Sequence, residues 1–192
     1  MKYKTRSYPL FSACGLNCGL CPRFHTAGTS KCPGCGGEGF SKVHPPCGVL
    51  SCCQRKDLEY CFDCPEYPCK KFDGADLTDS FITHQNQFRD LDKAKRTGIK
   101  TYEVELNEKV RVLEYLLKKY DDGRRKSFYC LAVNLLELSD VKVVMEKIAD
   151  TADNAATIKE KTTIAVRFFE EMAEKRGVLL KLRKKSSCKK LS

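Results

Sequence analysis

The sequence contains no run of about 18 apolar residues, the length that marks a membrane-spanning helix, so no span is expected. Its opening stretch, "MKYKTRSYPLFSACGL", is basic but lacks the apolar segment of about 7–15 residues found in secretory signals. A cytoplasmic setting is expected on that ground, and there cysteines stay reduced. Also missing are a Walker loop, an H-E-x-x-H pair and a recognisable Ser-His-Asp set. These gaps turn the reading away from P-loop nucleotide hydrolysis, zinc proteolysis and serine hydrolysis, and no catalytic residue is assigned. No internal repeat recurs at a fixed period. Acidic residues are absent from 175–192, and cysteine nearly vanishes after Cys69.

What is present is cysteine, 13 in all, with eleven between Cys14 and Cys69 and two outliers, Cys130 and Cys188. A chain of 192 residues can bury a real core, so it needs no staples merely because it is small. In a reducing compartment, close cysteine pairs read as metal ligands rather than disulfides. Cys18 and Cys21, Cys32 and Cys35, and Cys61 and Cys64 are each C-x2-C; Cys47 and Cys52 are five apart. In a C-x2-C unit two sulfurs can converge at the edge of a tetrahedral ZnS4 site, where Zn–S is about 2.3 Å. Glycines in "CGLC" and "CPGCGG" let backbone amides turn toward those sulfurs.

Four pairs supply eight thiolates, enough for two zinc ions. Cys18, Cys21, Cys32 and Cys35 make one sequential quartet, and Cys47, Cys52, Cys61 and Cys64 the other; the spacing equally allows a crossed pairing. Cys14 and Cys69 stand over, to join a further site with His25 or His44 or to replace a quartet member. Cys53 reads as a spare thiol, Cys130 as core and Cys188 as a free tail thiol. All-sulfur ligation also suits an iron–sulfur cluster, which stays open as the alternative cofactor together with a thiol redox role.

The formal charge of +10 is unevenly placed. Residues 1–174 carry 27 basic and 25 acidic residues, whereas 175–192 hold eight Lys or Arg and no acid. The stretch Lys181–Lys190 is therefore expected to give at most a weak, salt-sensitive nucleic-acid contact. The leading expectation is a protein-interaction module with an unidentified protein partner and no membrane partner.

Three regions are expected: a cysteine-rich metal-binding region over 1–75, a helical domain over 76–177 and a basic tail over 178–192. The fold class is mostly α, an irregular zinc-knuckle region packed on a bundle of about five helices. The first helix is expected from Ser80 to Thr97, with Phe81, Phe88 and Leu91 on one face and Gly98 as its stop. The second starts near Asn107 and carries the stripe Leu106, Val110, Leu113, Leu117 and Tyr120. The third and fourth start at Ser127 and Ser139. The fifth spans about Asn154 to Arg176, with Ile158, Ala165, Phe168, Phe169 and Met172 inward. "GVLLKL" then reads as a short strand or a frayed extension.

One stretch invites a sharper reading. "ACGLNCGLCP" holds Cys14, Cys18 and Cys21 at C-x3-C-x2-C, the spacing that radical S-adenosylmethionine enzymes use, and Gly36-Gly37-Glu38 resembles their GGE motif. Only 14 residues separate Cys21 from Gly36, too few for the crossover helix and strand that fold places between them. The downstream elements also read as successive helices. That reading is set aside.

Taken together, "ACGLNCGLCP", "KCPGC", "CGVLSC" and "YCFDCPEYPCKKF" resemble an uncharacterised cysteine-rich prokaryotic family, domain of unknown function 3795. "YDDGRRKSFYCLAVNLLEL" extends the likeness to about residue 150. The resemblance implies metal binding, most simply zinc, in a bacterium or archaeon, and no established reaction. The positions it carries over are Cys14, Cys18, Cys21, Cys32, Cys35, Cys47, Cys52, Cys61, Cys64 and Cys69. Cys53 falls outside the pattern.

Overall fold

The structure is a computed structural model that describes residues 4–75, 77–152 and 157–184. The cysteine-rich block holds two helices, α1 (Phe40–Val43) and α2 (Gly48–Arg55), and four single 3-10 turns. Five longer helices follow: α3 (Gln87–Thr97), α4 (Ile99–Lys119), α5 (Lys126–Leu135), α6 (Leu138–Ala152) and α7 (Ile158–Lys175). No strand occurs among the described residues, and no helix among them is long and apolar enough to cross a membrane. The mostly helical class and the count of five bundle helices agree with the sequence pattern.

The central helices explain the packing. α4 buries Tyr102, Leu106, Val110, Leu113 and Leu116, a stripe at helical spacing. α5 buries every residue from Tyr129 to Leu135, so it is an inner helix rather than an amphipathic one. α6 and α7 pack on each other through Val141, Val144, Ile148, Ala165 and Phe169. The cysteine block is not a separate body. Phe11, Ala13, Leu20, Tyr60 and Phe72 share one continuous core with Leu91, Leu106 and Leu113.

Two helix starts differ from the sequence pattern. α3 begins at Gln87, not Ser80, and Phe81 is 66% exposed. Residues 79–86 instead fold around the Asp79 carboxylate, which accepts from the backbone N–H of His84 (2.7 Å) and of Arg183 (2.6 Å). α4 begins at Ile99 rather than near Asn107, because Gly98, at φ 87°, turns the chain in one residue. Asn107, the expected start, sits inside α4, and its Oδ1 accepts from the Tyr8 hydroxyl at 3.0 Å.

At the fifth helix, the expected start at Asn154 lies outside the described residues. Thr157 caps α7 by exchanging hydrogen bonds with Glu160, and Ile158 is 47% exposed rather than inward. α7 ends in a Schellman pattern, with Val178 N–H donating to Ala173 O and Gly177 N–H to Glu174 O. "GVLLKL" forms no strand. It runs as an irregular strap, and its continuation is pinned by Arg183 to the buried Asp79 carboxylate at 3.1 Å.

Candidate metal-binding cysteine block

The block is organised by the turn-rich segment through Pro9–Ala13. Each C-x2-C unit donates a backbone amide to it: Gly19 to Leu10 O (2.9 Å), Cys35 to Pro9 O (2.9 Å) and Cys61 to Ala13 O (2.8 Å). Arg6 lies just before this segment and is buried. It donates to Phe11 O at 2.8 Å and to Glu59 Oε1 at 2.9 Å, and covers the Tyr60 ring. One irregular stretch therefore sets the mutual positions of all three units.

Two of the units are copies in conformation. Cys18–Leu20 and Cys61–Asp63 are both 3-10 turns, and in each the second cysteine's N–H returns to the first cysteine's carbonyl. The next turn also repeats, from Phe24 N to Cys21 O (2.9 Å) and from Tyr67 N to Cys64 O (3.0 Å). The signal is present in sequence as C-x2-C-P-x-aromatic, in "CGLCPRF" and "CFDCPEY".

The cysteines sort into two neighbourhoods. Cys35, Cys14, Cys21 and Cys32 act by charge on the Cys18 thiol, Cys47 acts on Cys14 and Cys35, and Cys14 also reaches Cys61 of the second group. Cys32 and Cys35 also share a small apolar cluster with Phe40 and Leu50. Burial raises the thiols of Cys14, Cys18 and Cys21, and pushes Cys35 up to about 12 despite the opposing charge of Arg6. The second neighbourhood is a cavity lined by Cys52, Cys53, Cys61, Cys64 and Cys69. There Cys53 Sγ and Cys61 Sγ are 3.5 Å apart, and Lys56 Nζ lies 3.5 Å from Cys64 Sγ. The hydrogen bond between Cys53 and Cys61 lowers the first thiol and raises the second, with burial adding to the rise.

The sequential reading grouped Cys47 with Cys52, Cys61 and Cys64 and left a crossed pairing open; in the fold Cys47 packs on the apolar cluster that holds Cys32 and Cys35. As N-cap of α2 its sulfur accepts from Leu50 N–H at 3.5 Å, while Cys52 and Cys53 lie further along that helix on the other cavity. His25 Nε2 bonds Gly19 O at 2.7 Å, and His44 Nδ1 bonds Pro45 O at 2.7 Å while its ring stacks on Phe40. Cys130 is a buried core thiol on α5, pushed up to about 12 by burial. Cys188 lies outside the described residues.

The thiolate donor set suits zinc or iron–sulfur chemistry. Among the described residues, no group of three or more His, Cys, Asp or Glu side chains already converges as a metal site. What the fold supplies is proximity: desolvated thiols gathered in two places on one backbone frame.

Residues 10–74 match a family model described as "Protein of unknown function (DUF3795)". The cysteine block is similar to that family over those residues. The match takes in all eleven block cysteines and ends at Gly74, so "YDDGRRKSFYCLAVNLLEL" and helices α3–α7 lie beyond it. No curated protein and no solved structure matches the chain.

The cysteine block is joined to the helices by a buried polar cluster that the spacing of cysteines did not reveal. Asn17, between Cys14 and Cys18, donates to Asp90 Oδ2 (2.7 Å) and Asn134 Oδ1 (2.9 Å), and accepts from the Tyr102 hydroxyl (2.9 Å). Asn86 Nδ2 also donates to Asp90 and Asn134, and Gln87 Nε2 donates to Cys14 O at 2.8 Å. Burial raises the Asp90 carboxyl, with Lys109 and Asn17 opposing the rise. A polar Asn between two cysteines is the one sequence signal for this joint.

Proposed function

We propose that the cysteine block binds two zinc ions through thiolates and that the chain acts as a zinc-stabilised protein-interaction module in a reducing, cytoplasmic setting. The observation that carries this is the gathering of eleven cysteines into two neighbourhoods on the Pro9–Ala13 frame. Thiols that burial raises are poor thiolates by themselves. A divalent cation reverses that penalty, since coordination deprotonates the sulfur. The cation would supply the charge that lets these sulfurs sit close together as thiolates.

Cys14, Cys18, Cys21, Cys32, Cys35 and Cys47 would provide the first site. Four thiolates fill a tetrahedral zinc, leave no position for substrate and so favour a structural role. Exposed Leu77 and Phe81, either side of Asp79, and Leu179 on the strap tied to Asp79 offer a protein partner apolar surface. Nucleic-acid contact through Lys181–Lys190 is the weaker alternative. Arg183 is already paired with Asp79, and residues 185–192 lie outside the described part.

Elemental analysis and an absorption spectrum of anaerobically purified protein test the proposal. Two zinc ions per chain and a colourless solution are expected. Less than one zinc per chain overturns it, as does iron with absorption near about 400 nm, the region of thiolate-bound clusters.

A further inference from the structure

We infer that Cys53, Cys61, Cys64 and Cys69 form one four-thiolate zinc site, with Cys53 as a ligand and its neighbour Cys52 not. The inference rests on the zinc reading above and assigns the ligands of its second site. Cys53 lies outside the family's cysteine pattern, so spacing alone passes over it. The fold does not: its residue is 4% exposed, and its sulfur stands 3.5 Å from that of Cys61. In a tetrahedral site with Zn–S of about 2.3 Å the sulfurs are about 3.8 Å apart. One edge of that tetrahedron is therefore already present.

The other two corners face the same space. Cys64 and Cys69 line the cavity of about 60 Å³ with Cys53 and Cys61. Side-chain rotation onto the Cys53–Cys61 edge is the step the metal drives. Cys52 also reaches the cavity wall, but consecutive residues on a helix point about 100° apart. With Cys53 turned inward, Cys52 is left half-exposed at the rim. Lys56 Nζ, 3.5 Å from Cys64 Sγ, offsets part of the negative charge that four thiolates leave on zinc. The assignment also frees Cys47 for the first neighbourhood, where the structure puts it.

The test uses the full chain purified without oxygen, comparing wild type, Cys53→Ser and Cys52→Ser by zinc content. Wild type and Cys52→Ser are expected to hold two zinc ions per chain, and Cys53→Ser one. Alkylation of the wild-type protein, mapped by mass spectrometry, covers the case of a variant that fails to fold. Cys53 is expected to resist alkylation until a chelator is added, and Cys52 to react throughout. Two zinc ions in Cys53→Ser, loss of one in Cys52→Ser, or a Cys53–Cys61 disulfide in the metal-loaded protein overturns the assignment. A wild type without any metal overturns the zinc reading and the assignment together. Iron lost specifically in Cys53→Ser overturns zinc but upholds the ligand set.

Discussion

Asn17→Ala should destabilise the protein by about 3–4 kcal/mol. Asn17 is 3% exposed and makes three hydrogen bonds, to Asp90, Asn134 and Tyr102. The bond to an ionised carboxylate contributes about 1.5–3 kcal/mol and each neutral one about 1 kcal/mol. Asn86 still donates to Asp90 and Asn134 after the amide is removed, which holds the loss to the low end of that sum. For a chain of this size that is a fall in melting temperature of about 10 °C. Tyr102→Phe removes only the hydroxyl bond and should cost about 1 kcal/mol. In the double variant the hydroxyl's partner is already gone, so the two losses should fall short of adding by about 1 kcal/mol.

The deficit should also depend on pH. Asp90's carboxyl is raised in the folded state by burial, so its protonated form is favoured there. Its stabilising contribution is present below the unfolded carboxyl's pKa and is lost as pH rises through the folded one. Without Asn17's donated hydrogen bond the folded pKa rises further. The gap between Asn17→Ala and wild type should therefore widen from about pH 4 to pH 7. Urea unfolding followed by far-UV circular dichroism at both pH values reads all of this. A loss below about 1 kcal/mol at neutral pH, or a gap that narrows with rising pH, refutes the idea that this cluster holds the block to the helices.

Gly15→Ala should be severely destabilising. At φ 92° an added Cβ would lie 2.4 Å from Leu91 Cγ and 2.7 Å from Gln87 O, whereas at Gly28, φ 77°, it would meet nothing within 4 Å. Gly28→Ala should therefore cost only the left-handed strain of about 1–2 kcal/mol, and equal losses at the two sites in thermal melts would contradict the packing. Asp79 is held below the usual carboxylate range: burial opposes this, but Arg183 and the N–H groups of Arg183 and His84 outweigh it. Its contribution is present above the unfolded pKa and is lost as pH falls through the folded one. Asp79→Asn should thus lose stability at neutral pH and flatten the acid limb of a stability–pH profile; an unchanged limb removes the strap's anchor. Chelation of the purified protein should expose the block to protease before α4–α7, and simultaneous cleavage throughout would argue against a local metal role.

Helical periodicity carried most of the bundle because apolar stripes such as that of α4 are local statements about one face. The start of α3 was not legible, since Asp79 needs a partner far along the chain, Arg183, whereas the start of α4 was missed because Gly98 ends one helix and opens the next in a single residue. The same division holds in the cysteine block. C-x2-C spacing marks local turns, and two of the three units are the repeated 3-10 turns at Cys18 and Cys61, because such a turn closes within its own few residues. It left open which pair meets which, because that is decided by α2 and by the amides docked on Pro9–Ala13. From Cys47, the N-cap of α2, to Cys53 within it the chain rises about 9 Å at 1.5 Å per residue. That length, and not any property of the cysteines, carries the chain from one neighbourhood to the other.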